Sequence, residues 1–104
     1  MSSDEPVAKL SRDTVLKRLE TLPGWEVNFE RQRLVRSWKM RDFASAMQFL
    51  NRVAEIAEQL GHHPDLHLER YRHVRIEIWT HTADGLTDKD FLLASHINGL
   101  EEVK

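Results

Sequence analysis

The sequence predicts an α+β fold in which an antiparallel sheet carries helices on one face. Three observations predict it. One long apolar stripe at helical spacing runs from Phe43 to Leu60. Two pairs of short segments with strand-like character flank it, and a further helical pattern closes each end of the chain. The resulting order is α-β-β-α-β-β-α, and strands that come in pairs separated by helices favour antiparallel pairing with the helices gathered on one side.

Residues 1–9 lack apolar periodicity and are expected to be a mobile segment ahead of a single domain over residues 10–104. Ser11 suits a helix N-cap, and Val15, Leu19 and Leu22 follow at helical spacing with Leu16 beside them. Pro23-Gly24 stops that helix. Residues 25–29 and 33–40 read as strands joined by the polar turn Glu30-Arg31-Gln32. In the long helix Phe43, Met47, Leu50, Val53 or Ala54, Ala57 and Leu60 mark the expected inner face. Asp42 stands where an N-cap belongs, Gly61 where a C-terminal glycine belongs, and Pro64 prevents continuation.

Residues 66–70 carry a weak strand pattern, and 72–81 a stronger one. There Val74, Ile76, Ile78 and Thr80 point one way, while His73, Arg75, Glu77, Trp79 and His81 point the other. Asp84-Gly85 forms a turn, and Thr87 opens the last helix, whose buried face holds Leu93, Ala94, Ile97 and Leu100.

Composition narrows the function classes. A chain of 104 residues suits one domain, and at this size only about two thirds of the unfolded surface is buried, so subunit contacts would help it. No stretch approaches the ~20 apolar residues of a membrane span, and Met1–Pro6 has neither the basic start nor the apolar run of a secretory leader. The absence of cysteine excludes disulfides and thiolate metal sites and fits a reducing compartment; the expected location is cytoplasmic. A net charge of −2 supplies no global field for nucleic acid. The local basic run Arg31, Arg33, Arg36, Lys39 and Arg41 alternates with Leu34, Val35, Trp38 and Met40, and reads as the solvated positions of a half-buried strand.

Six histidines stand out in so short a chain. His62 and His63 follow the long helix directly, and His81 is placed at the end of the later strand. The negative end of a helix dipole favours an imidazolium, and imidazole can donate and accept a proton in turn. Pro64 stiffens the segment that aims the rings. Structural readings of the same residues stand beside this one. Histidine after a helix is a common C-terminal cap, and Glu58 in the last turn can simply be solvated. Thr87 and Asp90 form a T-x-x-D capping box, Trp79 can be packing, and Gly85 a turn residue. A zinc site built from His62, His63 and His81 is the weaker reading, because adjacent histidines seldom converge on one ion and no H-x-x-x-H pair lies on a helix face.

Taken together, Glu58-Gln-Leu-Gly-His62-His63-Pro64, Tyr71, Thr80-His81, Gly85-Leu86-Thr87 and Asp90 resemble the signature of the pterin-4a-carbinolamine dehydratases. In animals that family is also known as a dimerisation cofactor of a homeodomain transcription factor. Weaker agreement extends from Leu10 to Leu100 and includes Gly24-Trp25 and Asp42-Phe43. The resemblance implies a four-stranded antiparallel sheet with three helices on one face. It implies catalytic His62, His63 and His81, with Glu58, Pro64, Trp79, Thr80 and Asp90 around the substrate and neither metal nor cofactor. The implied reaction is dehydration of 4a-hydroxytetrahydropterin to quinonoid dihydropterin, which recycles the cofactor of aromatic amino acid hydroxylases. Implied partners are the pterin, further copies of the chain in a dimer or tetramer, and functionally a hydroxylase, with no direct nucleic acid or membrane contact. Gly61 and Trp79 depart from the animal pattern, where an acidic residue and a small residue occur, and bear on how the pterin seats. A non-enzymatic dimerisation or coactivator module on the same fold is the alternative, but such a role would not demand three histidines.

Overall fold

A computed structural model describes residues 8–100. Most of the segment expected to be mobile, 1–7 of 1–9, lies outside the described residues, as do 101–104. The chain runs α1 (Arg12–Leu19), β1 (Glu26–Asn28), β2 (Arg33–Lys39), α2 (Phe43–Leu60), β3 (Asp65–Glu69), β4 (His73–Ile78) and α3 (Asp88–Gly99). The strands form one antiparallel sheet in the order β1-β2-β4-β3, and the three helices pack on one of its faces. The α+β architecture is the expected one.

Local chemistry accounts for the helix starts. Ser11 accepts the Thr14 amide at 3.2 Å and Asp42 accepts the Ser45 amide at 2.8 Å, each satisfying a donor that the first turn leaves open. The Ser45 amide first, then its hydroxyl, and lastly Arg41 hold the Asp42 carboxyl below its ordinary range. α1 ends at Leu19, earlier than Pro23-Gly24 alone predicts, yet Leu22 in the following turn still joins the core. Asn98 of α3 ties that turn down: its Oδ1 accepts from Trp25 Nε1 and from Arg36, each at 2.7 Å, and its Nδ2 donates to the Pro23 carbonyl. Gly24 is required here. Its φ is +89°, and the Arg36 guanidinium occupies the space a Cβ would need.

The inner sheet face carries Leu34, Trp38, Val74, Ile76 and Ile78 against Ala46, Phe49 and Val53 of α2 and Leu93, Ala94 and Ile97 of α3. Two expectations change here. The buried row of α2 is Ala46, Phe49, Val53 and Ala57, while Phe43 and Met47 are 53% and 40% exposed. The apolar stripe is thus wider than the face the sheet covers, and its N-terminal part is left outside. Arg36 does not lie with Arg33 on the open face: the register Arg36↔Ile76 puts it on the inner face, where its stem passes the core and its head reaches Asn98.

The open face is an ion lattice. Glu77, opposite Val35 and Asp65, is buried, and accepts from Arg33 at 2.7 Å and Arg75 at 3.0 Å. Burial pushes the Glu77 carboxyl up, but the hydrogen bonds and charges of Arg33 and Arg75 outweigh it and hold the pKa below 4.5. A depressed folded pKa gives stability that is present above the unfolded pKa and lost as pH falls through the folded value. Glu77→Gln is therefore expected to destabilise the protein by about 2 kcal/mol at neutral pH, and its stability gap from wild type is expected to narrow as pH falls below the ordinary carboxylate range, read by thermal melts at successively lower pH. A gap that stayed constant with pH would remove Glu77 from the acid response.

Candidate active site

The C-terminus of α2 builds the site. Gly61 adopts φ +67°, its amide donates to the Glu58 carbonyl at 3.3 Å, and the His62 amide donates to the Ala57 carbonyl at 3.1 Å. This pair of bonds is a Schellman cap. The helix end is therefore closed by backbone, and neither imidazole is needed as a cap. With no heavy atom within 4 Å of a Cβ at Gly61, the glycine answers only to the left-handed turn.

Freed from capping, His62 turns to α3. Its Nε2 lies 2.6 Å from Asp90 Oδ1, and its side chain is only 12% exposed. Asp90 is fully buried. Its other oxygen, Oδ2, accepts from the Thr87 amide and from the Thr80 hydroxyl, each at 2.8 Å. The Thr80 and Thr87 hydroxyls are themselves 2.8 Å apart. The expected T-x-x-D capping box is complete, so one carboxylate both caps α3 and holds the ring of a histidine 28 positions earlier. Thr87, read from sequence as a helix start, a capping-box partner and part of the family signature but not as a site residue, belongs to this cluster. A threonine that precedes a capping Asp carries no sequence signal of a second hydroxyl beside it.

His63 faces outward. Its Nε2 lies 2.6 Å from Glu58 Oε2, with both side chains largely exposed. Pro64 follows, partly buried, and leads straight into β3. His81 departs from expectation in its setting. β4 stops at Ile78, Thr80 bridges to Gly85, and His81 opens a single 3-10 turn to Ala83 that Asp84 closes at φ +54°. The strand stops because the Thr80 amide turns back to the Gly85 carbonyl at 3.2 Å. His81 is exposed there, one residue from the Thr80 that anchors Asp90. The structure thus joins His62, Thr80 and Asp90 directly, while the His63–Glu58 pair adjoins His62 and His81 adjoins Thr80 along the chain.

Two residues sit apart. Trp79 is covered by the Arg33 guanidinium, 3.9 Å from its ring centre, and Arg33 also grips Glu77 on the open sheet face. Tyr71 lies in the β3–β4 turn at the opposite end of β3 from the histidine pair, 60% exposed. Among the described residues, surface hollows of about 260–440 Å³ include one lined by Trp38, Met40, Phe49 and Arg52, and these hollows are not lined by His62, His63 or His81. Among the described residues no group of three His, Asp or Glu side chains is arranged to hold a metal ion, and no helix is long and apolar enough to cross a membrane.

Chemically, the cluster offers one imidazole held against a buried carboxylate and a second, solvent-facing imidazole paired with Glu58. Such a pair can take a proton at one point and deliver one at another.

The chain is similar to known proteins in both sequence and fold. The family model described as Pterin 4 alpha carbinolamine dehydratase matches residues 8–100. A pterin-4-alpha-carbinolamine dehydratase 2, mitochondrial, of Arabidopsis thaliana is 47% identical over 80% of this chain, which spans only 46% of that relative's length. A putative pterin-4-alpha-carbinolamine dehydratase of Acidobacterium capsulatum is 44% identical over 90% of this chain and 99% of its own. The crystal structure of a transcriptional coactivator/pterin dehydratase from Brucella melitensis matches with a TM-score of 0.83 at 32% identity, covering 88% of this chain and 97% of that one.

Proposed function

Because the chain belongs to the pterin-4a-carbinolamine dehydratase family of hydro-lyases, we propose that it dehydrates 4a-hydroxytetrahydropterin to quinonoid dihydropterin by histidine acid–base catalysis. The observation that carries this reading is the His62 imidazole seated 2.6 Å from the buried Asp90 carboxylate, beside the exposed His63–Glu58 pair.

The reaction breaks the C4a–O bond and forms a C4a=N bond from the lone pair of the neighbouring ring nitrogen. The hydroxyl leaves as water after gaining a proton, and the ring nitrogen gives its own proton up. No net proton is consumed. One group must therefore donate as another accepts. His62, backed by a carboxylate, suits the acceptor at the ring, and His63, exposed to solvent, suits the donor to the departing hydroxyl. His81 at the edge orients the pterin. Glu58 and Pro64 form the rim, and Glu58 orients His63. Thr80 and Asp90, both buried, act from beneath His62, while Trp79, held under Arg33 on the open sheet face, takes no part in this step.

The product is the oxidised dihydropterin, which a reductase must return before an aromatic amino acid hydroxylase can use it again; the reaction recycles that hydroxylase's cofactor. We place it in the cytoplasm, as a homo-oligomer, dimer or tetramer. The exposed Phe43 and Met47 on α2 support self-association, as do the outer strands β1 and β3, which leave two sheet edges open within one chain.

The test generates 4a-hydroxytetrahydropterin with a hydroxylase and follows its decay with and without the protein. Faster decay in proportion to protein concentration is expected. An unchanged decay with folded protein would leave the fold serving as a non-catalytic dimerisation or coactivator module.

A further inference from the structure

We infer that the Thr87–Thr80–Asp90 cluster fixes His62 in the tautomer that carries its hydrogen on Nε2, so that Nδ1 is the proton acceptor of the site. The direction of every bond in the cluster follows from what each group is able to do. The Thr87 amide can only donate, and it donates to Asp90 Oδ2 at 2.8 Å. Thr80 has one hydroxyl hydrogen, and it also goes to Asp90 Oδ2 at 2.8 Å. In the 2.8 Å contact between the two hydroxyls Thr87 must then be the donor, while its oxygen accepts the Lys89 amide at 3.2 Å. With Oδ2 occupied, Asp90 meets His62 through Oδ1 at 2.6 Å, and a carboxylate only accepts. The hydrogen between them is the imidazole's.

Burial enforces this assignment. Asp90 and Thr87 are 0% exposed and Thr80 4%, so solvent does not offer alternative partners. Asp90 and Thr80 are thus positioning residues that act through His62, and Thr87 is a third, acting through both Asp90 and Thr80. The arrangement follows the logic by which a buried aspartate holds a catalytic histidine in one tautomer. Its effect on rate rests on the proposed role of His62 in dehydration; the tautomer itself does not.

Asp90→Asn makes a sharp test. The Thr87 amide and the Thr80 hydroxyl both still need an acceptor, so the Asn carbonyl oxygen takes the Oδ2 place. Its NH2 then faces His62 and donates to Nε2. The ring must carry its hydrogen on Nδ1, and the acceptor is gone. Capping of α3 survives, because the amide oxygen still accepts the Thr87 amide.

Imidazole 15N spectra of the wild-type protein, followed to alkaline pH where the rings are neutral, are expected to show His62 protonated at Nε2. Asp90→Asn is expected to invert this to Nδ1 and to lower kcat roughly 10²–10⁴-fold with KM little changed. Thr80→Ser, which keeps the hydroxyl, is expected to retain the wild-type tautomer. A wild-type His62 protonated at Nδ1, or an Asp90→Asn ring still protonated at Nε2, overturns the inference. A wild-type Nε2–H tautomer in a protein that leaves the pterin decay unchanged would sink the dehydratase reading and leave the tautomer assignment standing.

Discussion

His62→Ala is expected to lower kcat for dehydration by about 10²–10⁴-fold, the range general acid–base groups supply. The same change carries a structural cost. It strips Asp90 Oδ1 of its partner inside the protein, where Asp90 is fully buried, and an orphaned buried acceptor costs about 1–3 kcal/mol, more if charged. Activity and stability are therefore expected to fall together in the alanine variant. His62→Gln separates them, since a glutamine amide can donate toward Oδ1 but cannot take up a proton. Stability is expected to recover at least in part while the rate stays low. Steady-state kinetics beside urea unfolding of both variants reads the two effects. A glutamine variant that regained wild-type kcat would reduce His62 to a structural role.

The second large effect is on folding. Ile76→Ala is expected to cost about 2–5 kcal/mol, the usual range for emptying a large aliphatic site in a core. Ile76 is fully buried, and lies on β4 between Arg36 of β2 and Leu66 of β3, so its loss leaves a cavity flanked by strands on both sides. Small domains have only about 5–15 kcal/mol of stability in total, and this one change removes a large share of it. Because β4 runs directly to Thr80, loosening it is also expected to weaken the support under His62. By contrast Leu66→Ala, at a position 39% exposed, is expected to cost far less. Urea midpoints at constant m-value decide it. Equal costs at the two positions would mean that the core is not centred on β4.

The element order, the N-caps at Ser11, Asp42 and Thr87 and the glycine at the end of α2 were all legible, because each rests on bonds within a few residues. The site was legible only as a set of residue types. A histidine pair after a helix is visible in a sequence. That the helix closes its end with backbone and frees His62 for an aspartate 28 positions later is not, because nothing local distinguishes a capping Asp with one role from one with two. The same limit explains Phe43 and Met47. Periodicity marks an apolar stripe, but its width relative to the sheet beneath depends on where β2 and β4 lie. Alternation also placed Arg36 with its basic neighbours, yet register sends it to the inner face, where Asn98 and the Pro23 carbonyl receive it. Glu77 was expected on the open face and is there, but buried; only the three-dimensional pairing of Arg33 and Arg75 covers it.

We assign His62, His63 and His81 to one pterin site. Titration of the protein with a stable 7,8-dihydropterin, followed through the imidazole resonances of all six histidines, tests it most directly. His62, His63 and His81 are expected to shift along one saturation curve, while His67 and His73 on the sheet and His96 on α3 stay in place. Saturable shifts at His67 and His73 with His62, His63 and His81 unmoved would contradict it, and would place the pterin on the open face of the sheet.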